Sequence, residues 1–521
     1  MKLESEDAKE KNTLNQRYVY KLISNLITIS AGLLTAAIVP RALGVDAYGV
    51  FSYTNNVITQ MLSFLDMRAS TCFYVKLSQR QSESKIITFY GIYTFLIFLS
   101  LLFVMSILIF AFSPPILFGG ISKIILVLSV SFVIAKWIAD IFIKISDAYG
   151  TTVSVERIKI ISSISGVIIL SVLFYFGVVN LKIFYIHQIL VFSIFSMLVL
   201  YFLRKWSYKI PLVAFMDVND FKKYIREFFV YSSPLAIYLV VTLLTEVFDR
   251  FTLQHFGGSY QQGLYGFSFS ISSMTIFFVT SMVPLFTREF SLAFATGNIK
   301  LAGDLYRKYV PTMYLISAYF CCFLFVNAES LILIFGGDQF KESILSLRIL
   351  LIYPLLSTYS NLNGSVIYAQ SGNSLFRNIS LILLPAGILA TFFLTSNQFM
   401  NLGAMGLALK ITLLESISVI IVMFYIAKHL KITLYKYFIH MILSPILFII
   451  LAFAVRRSLH FVYSVSDNLF SFLLSGAVYS LALGIAFYLF PNLTGLTKND
   501  IQSLKQGIRR TLRLESRSSR F

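Results

Sequence analysis

The chain is poor in charge. Asp, Glu, Lys and Arg make up only 13% of it, about half of the ~25% usual in soluble domains. That shortage excludes an ordinary water-soluble enzyme. Cysteine is scarce as well. Cys72, Cys321 and Cys322 lie in or beside apolar segments, match no zinc or redox spacing, and the adjacent pair is poorly placed for a structural bridge. The five histidines, His187, His255, His429, His440 and His460, are scattered without metal-ligand spacing. There is no Ser/His/Asp grouping, no carboxylate pair and no phosphate-binding glycine loop. No catalytic residue, metal site or cofactor is therefore expected, and the chain does not read as an enzyme.

What the chain has instead is apolar length. Hydrophobic residues are 57% of the sequence and the mean hydropathy is +0.79. Phenylalanine (51) and tyrosine (30) far outnumber tryptophan (2), an aromatic load suited to lipid-facing and interfacial helix surfaces. The pattern predicts an all-α polytopic membrane protein. Apolar runs near 18–39, 48–66, 87–112, 121–143, 158–178, 182–203, 229–249, 264–287, 308–328, 345–368, 376–395, 402–426, 437–455 and 467–490 are each close to the ~20 residues needed to cross a bilayer. They make about fourteen transmembrane helices. The first run follows a charged tail and is long enough to span, so no cleaved signal is expected.

Basic residues alternate with the spans. With the N-terminus inside, 33 of the 43 Lys and Arg fall on the inner side and 8 on the outer, leaving Lys136 and Lys410 within spans. That bias predicts a multi-pass membrane protein with both termini cytoplasmic. It also explains the net charge of +19 as attraction to anionic membrane lipid rather than to nucleic acid.

One stretch occurs twice. Pro40-Arg41-Ala42-Leu43-Gly44 leads to Tyr48-Gly49-Val50-Phe51, and Arg250 leads through Gly257-Gly258 to Leu264-Tyr265-Gly266-Phe267. A second pair, Tyr149-Gly150 with Arg157 and Ser371-Gly372 with Arg377, recurs at a similar offset. A period of about 215 residues over two turn motifs indicates two related halves. The division expected is a cytoplasmic tail (1–17), a six-helix bundle (18–203), a basic cytoplasmic linker (204–228), a second six-helix bundle (229–430), two additional helices (431–491) and a basic tail (492–521). Six helices per half insert both halves the same way up, with a pseudo-two-fold axis along the membrane normal.

Polar residues concentrate on the first two helices of each half. Asn25 lies on the first, and Asn56, Gln60 and Ser63 share one face of the second. Such faces pack against each other or line a wet cavity. Charges inside spans are fewer. Lys410 sits about 12 Å deep on its helix at 1.5 Å per residue, without an acid at i+4. Lys136, Asp140 and Lys144 are spaced i, i+4, i+8, and Glu246 and Arg250 i, i+4 with Asp249 beside them. The candidates for holding an anionic substrate are Lys410, Arg41, Arg250, Lys136, Asn56, Gln60 and Asn25. Those for coupling transport to H⁺ or Na⁺ are Glu246, Glu415, Asp249 and Asp140. Salt bridges along one helix face are the competing reading of the clustered charges.

With these residues the chain resembles the Wzx-type polysaccharide flippases, a branch of the MATE-like (MOP) transporter superfamily that also holds the lipid II flippase. The resemblance rests on the two repeated stretches above, on Leu333-Ile334-Phe335-Gly336-Gly337-Asp338-Gln339-Phe340 with Leu347-Arg348-Ile349-Leu350, and on Gly372-Asn373 with Arg377. It implies two six-helix bundles arranged as a V, with the first two helices of each lining a central cavity. It implies flipping of an undecaprenyl-pyrophosphate-linked oligosaccharide, as in lipopolysaccharide or capsule assembly, by alternating access. Membrane lipids and other polysaccharide assembly proteins are the further partners implied. Two alternatives from other classes stay open: a multidrug or cation antiporter of the same superfamily, and a membrane glycosyltransferase or polymerase. The latter would carry a sizeable loop outside, and no outside loop here is long.

Overall fold

The computed structural model describes residues 14–80, 83, 85–108, 118, 120–205, 217–370, 373–462 and 469–489. The tail before residue 14, most of the basic linker, the Ser371-Gly372 turn and the C-terminal tail lie outside these residues. Every long regular element among them is a helix, as apolar segments in lipid require, because only a helix satisfies all its backbone groups within one segment.

In chain order the helices are α1 (Leu14–Asp66), α2 (Ala69–Gln79), α3 (Lys85–Ser106), α4 (Lys123–Tyr149), α5 (Thr152–Tyr175), α6 (Leu181–Lys205), α7 (Val218–Met274), α8 (Phe277–Ala295), α9 (Ile299–Val326), α10 (Ala328–Phe335), α11 (Ser343–Leu350), α12 (Ile352–Ala369), α13 (Asn373–Thr395), α14 (Gly403–Leu430), α15 (Leu434–Val462) and α16 (Leu469–Leu489). Among the described residues eleven helices are long and apolar enough to cross a membrane, or twelve if the pair Leu239–Met274 and Phe277–Ala295 counts as one span.

The lower number arises because two helices run through their turns. α1 is 53 residues long and leaves helical geometry only at Gly44 (φ 76°, ψ 171°). At 1.5 Å per residue it would measure about 80 Å, far more than the ~30 Å of hydrocarbon. Its two ends nevertheless lie beside the same end of α4. Lys21 Nζ is 2.7 Å from Asp147, and Ala69 and Phe73, just past Asp66, share a buried cluster with Ala148 and Tyr149. The chain therefore doubles back at Gly44, and α1 is two spans. α7 has the same design, with its break at Gly258 (φ 64°, ψ −170°). Counted limb by limb, each of the fourteen expected spans holds a helix.

Some expectations need correction. The turns expected around 40–47 and 250–263 are helix on both sides of a single glycine, and Pro40 lies inside α1. Helix ends also overrun the apolar runs. α9 begins at Ile299, about nine residues before its expected start, and the helix leading into the seventh span begins at Val218. The polar residues there are compatible with helix once they stand clear of the hydrocarbon. Two short helices, α2 and α10, occupy stretches read as connections.

The chain separates into two compact units, Met1–Gly266 with Thr395–Asn397, and Phe267–Leu394 with Gln398–Phe521. Among the described residues, one buried cluster of the first unit gathers Phe73, Tyr90, Tyr149, Tyr224 and Phe228 at the α2–α3 end, and another gathers Tyr53, Val57, Ile58, Phe132 and Tyr185 along α1, α4 and α6. In the second unit a cluster runs from Val279 to Leu483, with Tyr306, Tyr314, Tyr359 and Tyr479 fully enclosed.

Inside the first unit the two copies of the repeated stretch cross at contact distance. A Cβ added at Gly49 would stand 1.8 Å from the Ser259 carbonyl oxygen, one at Gly263 would stand 2.2 Å from that of Val45, and one at Gly266 would stand 2.1 Å from Ser52 Oγ. Small residues let membrane helices approach this closely, and packing then substitutes for a hydrophobic drive that lipid does not supply.

Candidate functional site

The second limb of α1 shows why its polar residues share a face. Tyr53, Val57, Ile58 and Leu62 are buried in the core, so Asn56, Gln60 and Ser63 project elsewhere, as their spacing predicts. Gln60 Nε2 donates a short hydrogen bond to Glu246 on α7. The buried amide oxygens of Asn55 and Asn56 accept no hydrogen bond. A buried amide oxygen left so costs about 1–3 kcal/mol.

A cavity of about 340 Å³ opens in the same unit between the first limb of α1 and helices α4, α5 and α6. Thr28, Asp140, Lys159, Ser162, His187 and Gln188 supply its polar lining. Lys159 Nζ lies 3.5 Å from Glu156 Oε2 and donates to Asn25 Oδ1 at 3.2 Å. His187 Nε2 is 3.0 Å from the Gly166 carbonyl oxygen. Lys136 and Lys144 stand one helical turn to either side of Asp140 along α4.

Arg250 takes a structural position. It is 7% exposed, its Nη1 donates to Gln262 Oε1 at 3.1 Å, and Gln262 Nε2 donates back to the Arg250 carbonyl oxygen at 2.5 Å. Its guanidinium sits 4.5 Å from the centre of the Tyr265 ring. These contacts staple the two limbs of α7 across the Gly258 break. Asp249 is buried beside it. The matching Arg41 is exposed.

In the second unit Lys410 is only 2% exposed. Its ammonium lies over Gly387 of α13, whose added Cβ would be 3.8 Å from Nζ and 3.5 Å from Cε. Glu415, on the same helix, is only partly exposed.

The structure thus brings Gln60 to Glu246 and Asn25 to Lys159. It lines one cavity with Asp140, encloses Lys410 against α13 and commits Arg250 to a turn. Sequence reasoning missed Glu156, Lys159 and His187 as a group. The Glu156–Lys159 spacing of i, i+3 was the available signal; nothing local announced that Asn25 or His187 would face it. No cluster of three or more metal-ligating side chains is present among the described residues.

No protein-family model and no curated protein matches the chain. Solved structures do. The lipid II flippase MurJ, in an inward closed conformation, superposes with a TM-score of 0.65 at 16% identity, covering 92% of this chain and 99% of its own. The fold is that of the MOP transporters. An inward-facing multidrug resistance MATE family transporter of that superfamily matches at a TM-score of 0.60 and 13% identity, over 81% of this chain and 100% of its own. A MOP superfamily transporter from Pyrococcus furiosus matches at 0.52 and 14%, over 80% and 96%.

Proposed function

We propose that this protein is a flippase that moves an undecaprenyl-pyrophosphate-linked oligosaccharide across the bacterial cytoplasmic membrane by alternating access. The observation that carries the reading is the difference in coverage, 92% of the chain by the lipid II flippase against 81% by the MATE transporter. A likeness that extends over more of the chain favours a lipid-linked cargo over a soluble drug. The two six-helix bundles at 18–203 and 229–430, followed by two helices, belong to the same proposal, as do cytoplasmic termini.

The chemistry demanded of such a protein agrees with the side chains available. A pyrophosphate and its sugars cannot enter hydrocarbon bare, since each unsatisfied polar group costs several kcal/mol there. The amide face of Asn55, Asn56 and Gln60 offers hydrogen bonds to sugar hydroxyls. Lys410, with Arg41 and Lys136, offers positive charge to phosphate; Arg250 is retained as a candidate whose charge already serves the α7 turn. For coupling to H⁺ or Na⁺, Glu246 and Glu415 rank above Asp140 and Asp249. Glu246 accepts from Gln60, whereas Asp140 has Lys136 and Lys144 one helical turn away on either side along its own helix.

Depletion of the protein in its host tests the reading. The lipid-linked repeat unit should build up and surface glycan should fall. Unchanged glycan with altered resistance to cationic drugs would replace the flippase with an antiporter.

A further inference from the structure

Four nitrogen-bearing side chains converge on a second cavity that the proposed transport route does not use. Arg307 of α9, Lys431 in the turn between α14 and α15, and Lys436 and His440 of α15 line a space of about 310 Å³ in the second unit. It lies on the membrane face that the Lys and Arg distribution assigns to the cytoplasm. Asp304 lies 3.6 Å from Arg307, with both side chains half exposed. Surface pairs of that kind neutralise little, so the cavity keeps its positive character.

Two details show that the site is built rather than incidental. Lys431 closes α14 in a left-handed conformation (φ 51°), where Gly or Asn is the usual residue. A lysine held there accepts backbone strain at the mouth of the cavity. His440 has both ring nitrogens buried with no hydrogen-bond partner, and its ring packs 5.7 Å from that of Tyr314. A buried imidazole with neither nitrogen satisfied is costly, and an anion in the cavity would accept a hydrogen bond from its N–H.

The surface next to the cavity indicates where the anion comes from. Ile439 (40% exposed), Leu443 (51%), Ile446 (48%) and Ile450 (59%) form one uncovered stripe along α15, at i, i+4, i+7 and i+11. The stripe begins beside Lys436 and His440 and runs about 16 Å, roughly one leaflet of the ~30 Å hydrocarbon. We infer that this cavity binds the phosphate of an anionic lipid headgroup, with an acyl chain laid along the Ile439–Ile450 face of α15. Basic pockets between membrane helices on the cytoplasmic side are suited to such headgroups.

The test uses the purified full-length protein in neutral detergent and reads its thermal unfolding midpoint. Short-chain phosphatidylglycerol, phosphatidylcholine of the same chain length, and inorganic phosphate are added separately. Phosphatidylglycerol at about a hundredfold excess over its Kd should raise the midpoint by about 3 °C or more, and the other two should not. Lys431→Gln with Lys436→Gln should remove at least half of that shift, while Lys222→Gln with Lys300→Gln, two exposed lysines elsewhere, should keep it. If the first double variant does not accumulate, Arg307→Gln, at an exposed position, replaces it with the same expectation. An equal shift with phosphatidylcholine removes the charge requirement, and an equal shift with inorganic phosphate makes the ligand a free anion. Equal loss in the control variant reduces the effect to general attraction for a basic protein, and full retention in the cavity variants places the lipid elsewhere. Each of these results overturns the inference.

Discussion

Lys410 is the most deeply placed candidate for the cargo's charge. It is 2% exposed, and its ammonium lies beside Gly387 of α13. If its charge serves the cargo's phosphates, Lys410→Arg should keep part of glycan export. Lys410→Gln, of similar reach but neutral, should lose most of it at normal membrane abundance. Comparing abundance with surface glycan in both variants decides this: wild-type export by Lys410→Gln would remove the residue from the mechanism, and loss of abundance in step with export would make it structural. Glu246 has a different test. If it carries the coupling proton or ion, Glu246→Gln retains the hydrogen bond with Gln60 but cannot change charge. Transport by that variant should become insensitive to an imposed ion gradient, whereas unaltered gradient dependence would place coupling on another carboxylate.

At the scale of elements the glycine crossing makes the sharpest claim. Gly49→Ala and Gly263→Ala each drive a methyl group into backbone at 1.8 and 2.2 Å, and backbone cannot step aside as a flexible side chain can. Overpacking of this kind costs about 1–3 kcal/mol or more, so both variants should unfold at lower temperature and accumulate poorly. Gly91→Ala, with nothing within 4 Å of the new Cβ, should behave as wild type in the same melt. A second element-level feature is the network that ties the α2–α3 connection to the start of α7. Arg80 reaches Glu227 at 3.3 Å, Lys85 reaches Asp220 at 2.6 Å, and Glu83 accepts from Tyr224 beside Lys223. The Tyr224 hydroxyl, with Lys223 and Arg80, holds the Glu83 carboxyl below the ordinary range. A lowered carboxylate contributes stability above its unfolded-state pKa and loses it as pH falls through the folded value. The melting midpoint should therefore decline on acidification below about pH 4. Glu83→Gln should flatten that limb of the curve, and an unchanged acid limb would show that Glu83 contributes nothing there.

These elements also show what the sequence could and could not announce. Apolar runs located the long helices and passed over the short α2 and α10, because length and hydropathy are local properties. The repeated Tyr-Gly stretches were visible as words, and their matching breaks at Gly44 and Gly258 give them the same backbone. That Gly49 and Gly263 meet each other's helices could not be read, since a close approach is a property of two segments at once. The same limit explains the site. The shared face of Asn56, Gln60 and Ser63 follows from helical spacing, but the bond from Gln60 to Glu246 joins residues 186 positions apart. Arg250 looked like a ligand for phosphate by type and place, and only the folded turn shows its charge engaged with Gln262 and Tyr265.

For the whole molecule, orientation and cargo can each be tested. The charge bias predicts that the Gly44 turn lies outside and the start of α7 inside. A membrane-impermeant thiol reagent applied to intact cells should then label Asp46→Cys and spare Lys222→Cys, both exposed positions, and the native cysteines are buried. The reverse pattern would invert the topology. Cargo is tested most directly by asking which leaflet holds the lipid-linked oligosaccharide when the protein is withdrawn. In depleted cells, undecaprenyl-pyrophosphate-linked repeat units should accumulate but stay inaccessible to an impermeant glycosidase added outside, and re-expression should return them to its reach within the lifetime of the pool. A pool equally accessible with and without the protein would contradict the account.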